Sequence, residues 1–154
     1  MVKQLDENAR GAGPDHIGIR LWTAWEGWKA EFVMAMNAAG HDWFTPSRAT
    51  MLGFLPRKGL RQSDLITRMG VSKQAVQQLI DGLEQEAVLE RIPDPADRRG
   101  RIVRPTAKGR VALDDADRIK AEIEARIRAR MGEERFRLLY ETLGEMRRDG
   151  EGAA

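Results

Sequence analysis

Between Val71 and Ile80 the chain carries no acidic residue, and Lys73, Gln74, Gln77 and Gln78 recur there at helical spacing. A Gln amide can contact adenine N6 and N7 together, and a Lys ammonium reaches guanine acceptors or a phosphate. Further along, Arg98, Arg99 and Arg101 crowd into one stretch. Guanidinium groups so placed pair with phosphates or enter a narrow minor groove. A solvated helix face also carries Lys and Gln, but it has no reason to exclude carboxylates or to be followed by a basic cluster. The chemistry on offer is recognition of a nucleic-acid duplex, with Ser72 opening the helix that holds the first set. Asp94 and Asp97 interrupt the basic stretch. Facing DNA they would repel it, so they are read as bracing the arginines through ion pairs or ending the turn.

The charge distribution points the same way. The 154 residues hold 26 Lys and Arg against 24 Asp and Glu, a net of only +2. Residues 91–110 alone hold Arg91, Arg98, Arg99, Arg101, Arg104, Lys108 and Arg110 against two aspartates, a net of +5 that leaves −3 for the other 134. One segment is a positive patch on an otherwise slightly acidic chain. Other chemistries are poorly served. Without Cys there is no disulfide, thiolate zinc site, iron–sulfur ligation or thiol-based redox sensor. Two His do not make a metal centre. Ser47, Ser63 and Ser72 each fall at the cap or first turn of a predicted helix, where a hydroxyl satisfies free amides. With no nucleophile elbow or phosphate loop either, an enzyme is not expected. No apolar run nears the roughly 18 residues of a membrane span, and the start, MVKQLDENAR, lacks an apolar signal core. The expectation is a cytoplasmic protein with no cofactor and no membrane partner.

Elements must position these residues. Residues 1–14 are polar, with Gly11, Gly13 and Pro14, and read as a mobile arm. Trp22, Trp25, Lys29, Phe32 and Met36 are spaced 3, 4, 3 and 4, which predicts an amphipathic helix over roughly 15–39 that stops at Gly40. Thr45-Pro46 starts a second helix, since Thr caps free amides and Pro at the first position gives up only an unpartnered N–H. Short helices over about 62–69 and 73–86 follow, the latter burying Val76, Leu79, Ile80 and Leu83. Strands near 88–92 and 101–104 form a hairpin with a charged tip. Thr106 caps a long helix to about 131, and a last one runs from Gly132 to about 148, with fraying beyond. The parts are those of a winged helix-turn-helix, mainly α with a small β-hairpin wing, whose second helix lies in the major groove. The expected organisation is an arm over 1–14, a dimerisation helix and connection over 15–44, and the winged domain over 45–105. Dimerisation helices over 106–149 and a tail over 150–154 complete it.

The stretch from Thr45 to Arg110 resembles the MarR family of transcriptional regulators. The resemblance rests on Leu60 to Leu65, Met69 to Val76, Leu79 to Glu84, Asp94 to Arg101 and Thr106 to Gly109. Two residues depart from the family pattern. Arg61 stands where Thr or Ser usually caps the third helix, which leaves the cap to Ser63 or water, and Pro105 stands where a strand Leu is usual and is expected to shorten the returning strand. Arg61 and Ser63 join the expected backbone contacts to DNA. The resemblance implies a homodimer with interlocked terminal helices, reading a pseudo-palindrome with half-sites about 10 bp apart, with repression as its sign. The rival is a winged module that binds RNA or a protein partner without operator preference.

The resemblance also implies release of DNA by a small aromatic or phenolic effector bound between the dimerisation helices and the winged domain. Candidates for that pocket are His16, Trp22, Trp25, Trp28, His41, Trp43, Arg48 and Met51. The tryptophans would stack on a ring, with Arg48 or a histidine holding a carboxylate. Against this, Trp at helical spacing ordinarily serves a core or a dimer interface, and a lone His is ordinarily surface or satisfied core.

Overall fold

Four helix starts in this chain are each written in a single residue. In the computed structural model, which describes residues 15–151 and the side chains of 15–146, α1 (Ile17–Ala38) opens at His16, whose Nδ1 accepts from the Ile19 amide at 3.4 Å. Thr45 does the same for α2 (Pro46–Phe54), with Pro46 in the first turn. Ser72 caps α4 (Lys73–Gln85) through the Ala75 amide at 3.2 Å, and Thr106 caps α5 (Ala107–Met131) through the Gly109 amide at 3.0 Å. The exception is α3 (Gln62–Met69), where Arg61 holds the cap position and makes no capping hydrogen bond. Ser63, expected to take that role, lies inside the first turn and does not. The arm expected over 1–14 and residues 152–154 of the expected tail lie outside the described residues.

Stops are equally local. Gly40, Gly70 and Gly132 hold φ of +94, +63 and +86, a region that costs other residues strain. Gly132 separates α5 from α6 (Glu133–Glu151), which continues three residues past its predicted end.

The strands are longer than predicted. β1 (Leu60–Arg61), β2 (Leu89–Asp94) and β3 (Asp97–Pro105) form an antiparallel sheet in the order β1-β3-β2. Leu89 faces Pro105 and Ile92 faces Ile102, with a register shift at Pro93 and Asp94. Pro105 does not shorten the strand. It sits at the last paired position, and the next amide, that of Thr106, bonds Val88 O at 3.0 Å. The β1 pairing was not foreseen: its two residues lie against Val103 and Ile102.

The core is continuous from the winged domain into the flanking helices. Leu65, Val76, Ile80, Leu83 and Val103 are fully buried in the former, and Met36, Met51, Ala112, Ala116 and Ile123 extend it between α1, α2 and α5. Each of these Leu, Val, Ile and Met side chains contributes about 1.5–3 kcal/mol relative to exposure, against about 0–1 kcal/mol for a surface ion pair. Packing therefore sets the fold, and ion pairs adjust the joints. Arg57, after α2, reaches Asp114 at 2.7 Å and Asp117 at 2.8 Å on α5, and Arg126 of α5 reaches Glu31 of α1 at 2.6 Å.

Candidate nucleic-acid interface

Burial of Val76, Ile80 and Leu83 fixes how α4 is rolled on the core. That roll leaves Lys73, Gln74 and Gln78 exposed, with Gln77 half-buried beside them. Ser72 is exposed, but its hydroxyl is already engaged as the helix cap. The predicted reading face is therefore presented as one surface at the N-terminal end of α4, the end that approaches base edges in helix-turn-helix proteins.

The wing shows what the two aspartates do. Asp94 Oδ1 accepts from the Ala96 amide at 2.9 Å and Asp97 Oδ1 from the Arg99 amide at 3.0 Å, so both end the turn. Asp94 has a second role. Its side chain is only 3% exposed, and Oδ2 lies 2.6 Å from Arg61 Nε. The approach is too oblique to count as a hydrogen bond, and the contact is an ion pair. The arginine braced by Asp94 is therefore Arg61 at the start of α3, and the wing is tied to the helix-turn-helix. Arg61, Ser63, Lys73, Arg99 and Arg101, with Asp94 and Asp97, line a cleft of about 450 Å³ between wing and helices.

The positive patch is narrower than the count over 91–110 implies. Arg91 is half-buried and bonded to Glu84, to Asp81 at 2.7 Å and to Gln62 at 3.1 Å. Arg104 pairs with Glu90 at 2.7 Å. Lys108 donates to the Glu86 carbonyl and Arg110 to that of Pro105. Among the described residues Arg98 and Arg99 have no acidic partner, and Arg101 donates only to the Gly100 carbonyl. Lys108 and Arg110, like Arg101, meet only carbonyl oxygens and keep their charge, but they lie at the start of α5; at the wing tip the guanidinium groups left for an outside anion are those of Arg98, Arg99 and Arg101.

The expected effector residues do not gather in one pocket: Trp25 and Trp28 share a cavity, and His41, Trp43 and Arg48 meet elsewhere. Trp25 and Trp28, nearly parallel with ring centroids 5.4 Å apart, line a cavity of about 340 Å³ between α1, α2 and α5. His16 is the exposed cap of α1, and Trp22 is 59% exposed and outside the cavity. Met51 is core. Trp43 is buried, its indole N–H unpartnered among the described residues. Arg48 donates to the Trp43 carbonyl at 2.9 Å and packs where a side chain on Gly82 of α4 would sit. His41 is buried with Nε2 2.9 Å from Asp115 Oδ2. That hydrogen bond, then that of Arg118, holds the Asp115 carboxyl below the usual carboxylate range. Sequence reasoning missed Phe44, Leu52, Ala112, Ala116 and Lys120 in the cavity wall. The small residues Ala112 and Ala116, one turn apart on α5, were its available signal.

A helix-turn-helix with no acidic residue from Val71 to Ile80, and a sheet wing ending in arginines without an acidic partner among the described residues, is the architecture of DNA-binding transcriptional regulators, a class of non-enzymatic proteins. Residues 44–100, which run from just before α2 into β3, match the model of the MarR family. No protein of curated function matches the chain in sequence. Solved structures share the fold. RV1404 from Mycobacterium tuberculosis has a TM-score of 0.73 at 23% identity, covering 88% of this chain and 92% of its own. Apo MarR from E. coli has 0.72 at 15%, covering 86% and 97%. A mutant MepR from S. aureus, solved bound to an oligodeoxyribonucleotide, has 0.59 at 19%, covering 88% and 99%. No helix among the described residues is long and apolar enough to cross a membrane.

Proposed function

We propose that the chain is a homodimeric repressor, acting in the cytoplasm, that grips a pseudo-palindromic operator and lets go when a small molecule enters the cavity between α1, α2 and α5. The observation that carries this reading is the pairing of Lys73, Gln74, Gln77 and Gln78 with unpaired wing arginines on one side of the molecule. Gln74 and Gln77 read bases, Lys73 takes a base acceptor or a phosphate, and Arg98, Arg99 and Arg101 take phosphates or the minor groove beside them. A single winged domain covers one half-site, so two-fold symmetry supplies the second.

The dimer reading is supported by what the terminal helices leave uncovered. Trp22 and Trp25 on α1 and Leu138, Leu139, Tyr140, Leu143 and Met146 on α6 are exposed apolar side chains on helices outside the winged domain. Contiguous apolar faces of this kind mark association surfaces. The effector reading is supported by the position of the cavity, whose walls come from both the winged domain and the flanking helices.

Selection from a random duplex pool tests the operator reading. The expected product is a two-fold symmetric motif with half-sites about 10 bp apart, bound by a species of twice 17.4 kDa in light scattering. A pool that stays unenriched, or equal affinity for scrambled duplex, refutes operator recognition and favours the RNA- or protein-binding module.

A further inference from the structure

We propose that the cavity between α1, α2 and α5 takes a flat, uncharged aromatic molecule and discriminates against an organic acid of the same shape. This names the ligand class of the site invoked above and rests on the effector reading only for its consequence at DNA. The cavity's size, about 340 Å³, lies at the low end for small-molecule pockets. Trp25 and Trp28 lie within 13° of parallel, Phe32 meets Phe44 edge to face, and Ala112 and Ala116 keep the α5 wall low. Stacked and edge-on rings favour a planar aromatic guest.

The polar groups on the lining decide the charge. They are the side chains of Thr50, Lys29 and Lys120 and the indole N–H groups of Trp25 and Trp28, which suit an uncharged acceptor as well as a charged one. The Thr50 hydroxyl already donates to the Pro46 carbonyl at 3.0 Å. Lys29 Nζ is 2.7 Å from Glu26 Oε1, with its ammonium 6.0 Å from the Trp25 ring centre. Lys120 Nζ is 3.1 Å from Asp117 Oδ1 and 5.7 Å from the Phe32 ring centre. Each ammonium thus already has a carboxylate partner, Lys29 in Glu26 and Lys120 in an Asp117 that Arg57 also holds, and with Asp114 on Arg57 the three cations and three carboxylates balance. An incoming carboxylate would leave water and then compete with Glu26 or Asp117 for an ammonium that already has a partner. That exchange gains no ion pair while the acid loses its hydration. Arg48, His16 and His41, the residues expected to hold a carboxylate, lie outside the cavity. An uncharged ring meets none of this opposition.

Calorimetric titration of the intact protein with naphthalene and with 2-naphthoate at neutral pH tests the inference. Naphthalene is expected to bind saturably and 2-naphthoate at least about tenfold more weakly. A Gly53→Leu variant provides the location. A Cβ built there meets no atom within 4 Å, so the side chain starts into open volume, and naphthalene binding is lost with the thermal midpoint no lower than that of the parent. Three results would overturn the proposal: no naphthalene binding, binding that survives Gly53→Leu, or 2-naphthoate as tight as naphthalene with the tightness lost in Lys29→Ala or Lys120→Ala. A selected duplex added to the same samples separates the two readings. Naphthalene that binds without releasing DNA leaves the ligand class standing and refutes effector release.

Discussion

Arg99→Ala and Arg91→Ala remove the same formal charge from the same twenty-residue segment, and their effects should differ in kind. Arg99 stands at the wing tip without an acidic partner among the described residues, whereas Arg91 is bonded to Glu84, Asp81 and Gln62 and joins α4 to β2. Each phosphate neutralised contributes about −0.9 to the slope of log affinity against log salt. In a dimer Arg99→Ala removes two such contacts, so the slope should flatten by about 1.8, equivalent to about a tenfold smaller loss of affinity between roughly 50 and 200 mM salt. Arg91→Ala should leave the slope unchanged. Its cost falls on folding, about 1–3 kcal/mol for losing hydrogen bonds to charged groups and leaving the half-buried Glu84 without its cation. Fluorescence anisotropy of a labelled duplex over a salt series gives the slopes, and urea titration gives the stabilities. Equal flattening by the two variants, or an unchanged slope in Arg99→Ala, would refute the division between presented and internally bonded arginines.

Other outcomes follow from the same geometry. Gln74→Ala or Gln77→Ala should relax base preference at one position per half-site by about 1–3 kcal/mol, read as anisotropy against duplexes with single base changes. Acid should act through Asp115. Because its folded-state value lies below the ordinary 3.8, its contribution is complete above that value and lost as pH falls through the lowered one. Asp115→Asn should therefore flatten the acid limb of the urea midpoint plotted against pH. Gly109→Ala places a Cβ 2.1 Å from the Val88 carbonyl oxygen, a backbone atom that cannot turn aside, and should lower stability by about 1–3 kcal/mol in a thermal melt.

The winged domain was legible because its signals are local. Thr45, Ser72 and Thr106 announce helix starts, Gly70 ends α3, and Val76, Ile80 and Leu83 mark the buried side of α4. The exposed set Lys73, Gln74 and Gln78 follows from that side by subtraction. β1 was illegible because a two-residue strand has no period; it exists only because Val103 and Ile102 offer their outer edge. Side-chain direction within the flanking helices was also illegible. Trp25 and Trp28 belong to the cavity while Trp22 does not, although all three share a stripe, because α5 covers only part of α1. Local charge counting failed at Arg91 and Arg104, whose partners Glu84, Asp81 and Glu90 lie outside residues 91–110.

The contact between Asp94 and Arg61 bears on how docking begins. A hairpin with arginines at its tip would ordinarily sample many orientations in the free protein, and DNA would have to select one at an entropic cost of about 0.5–1.5 kcal/mol per immobilised side chain, beyond that of the hairpin itself. Here the turn is held from within by a buried carboxylate that also grips the first residue ahead of α3. Wing and helix pair are therefore joined before any duplex is met. Part of the hairpin's freedom is surrendered when the chain folds rather than when it meets a duplex.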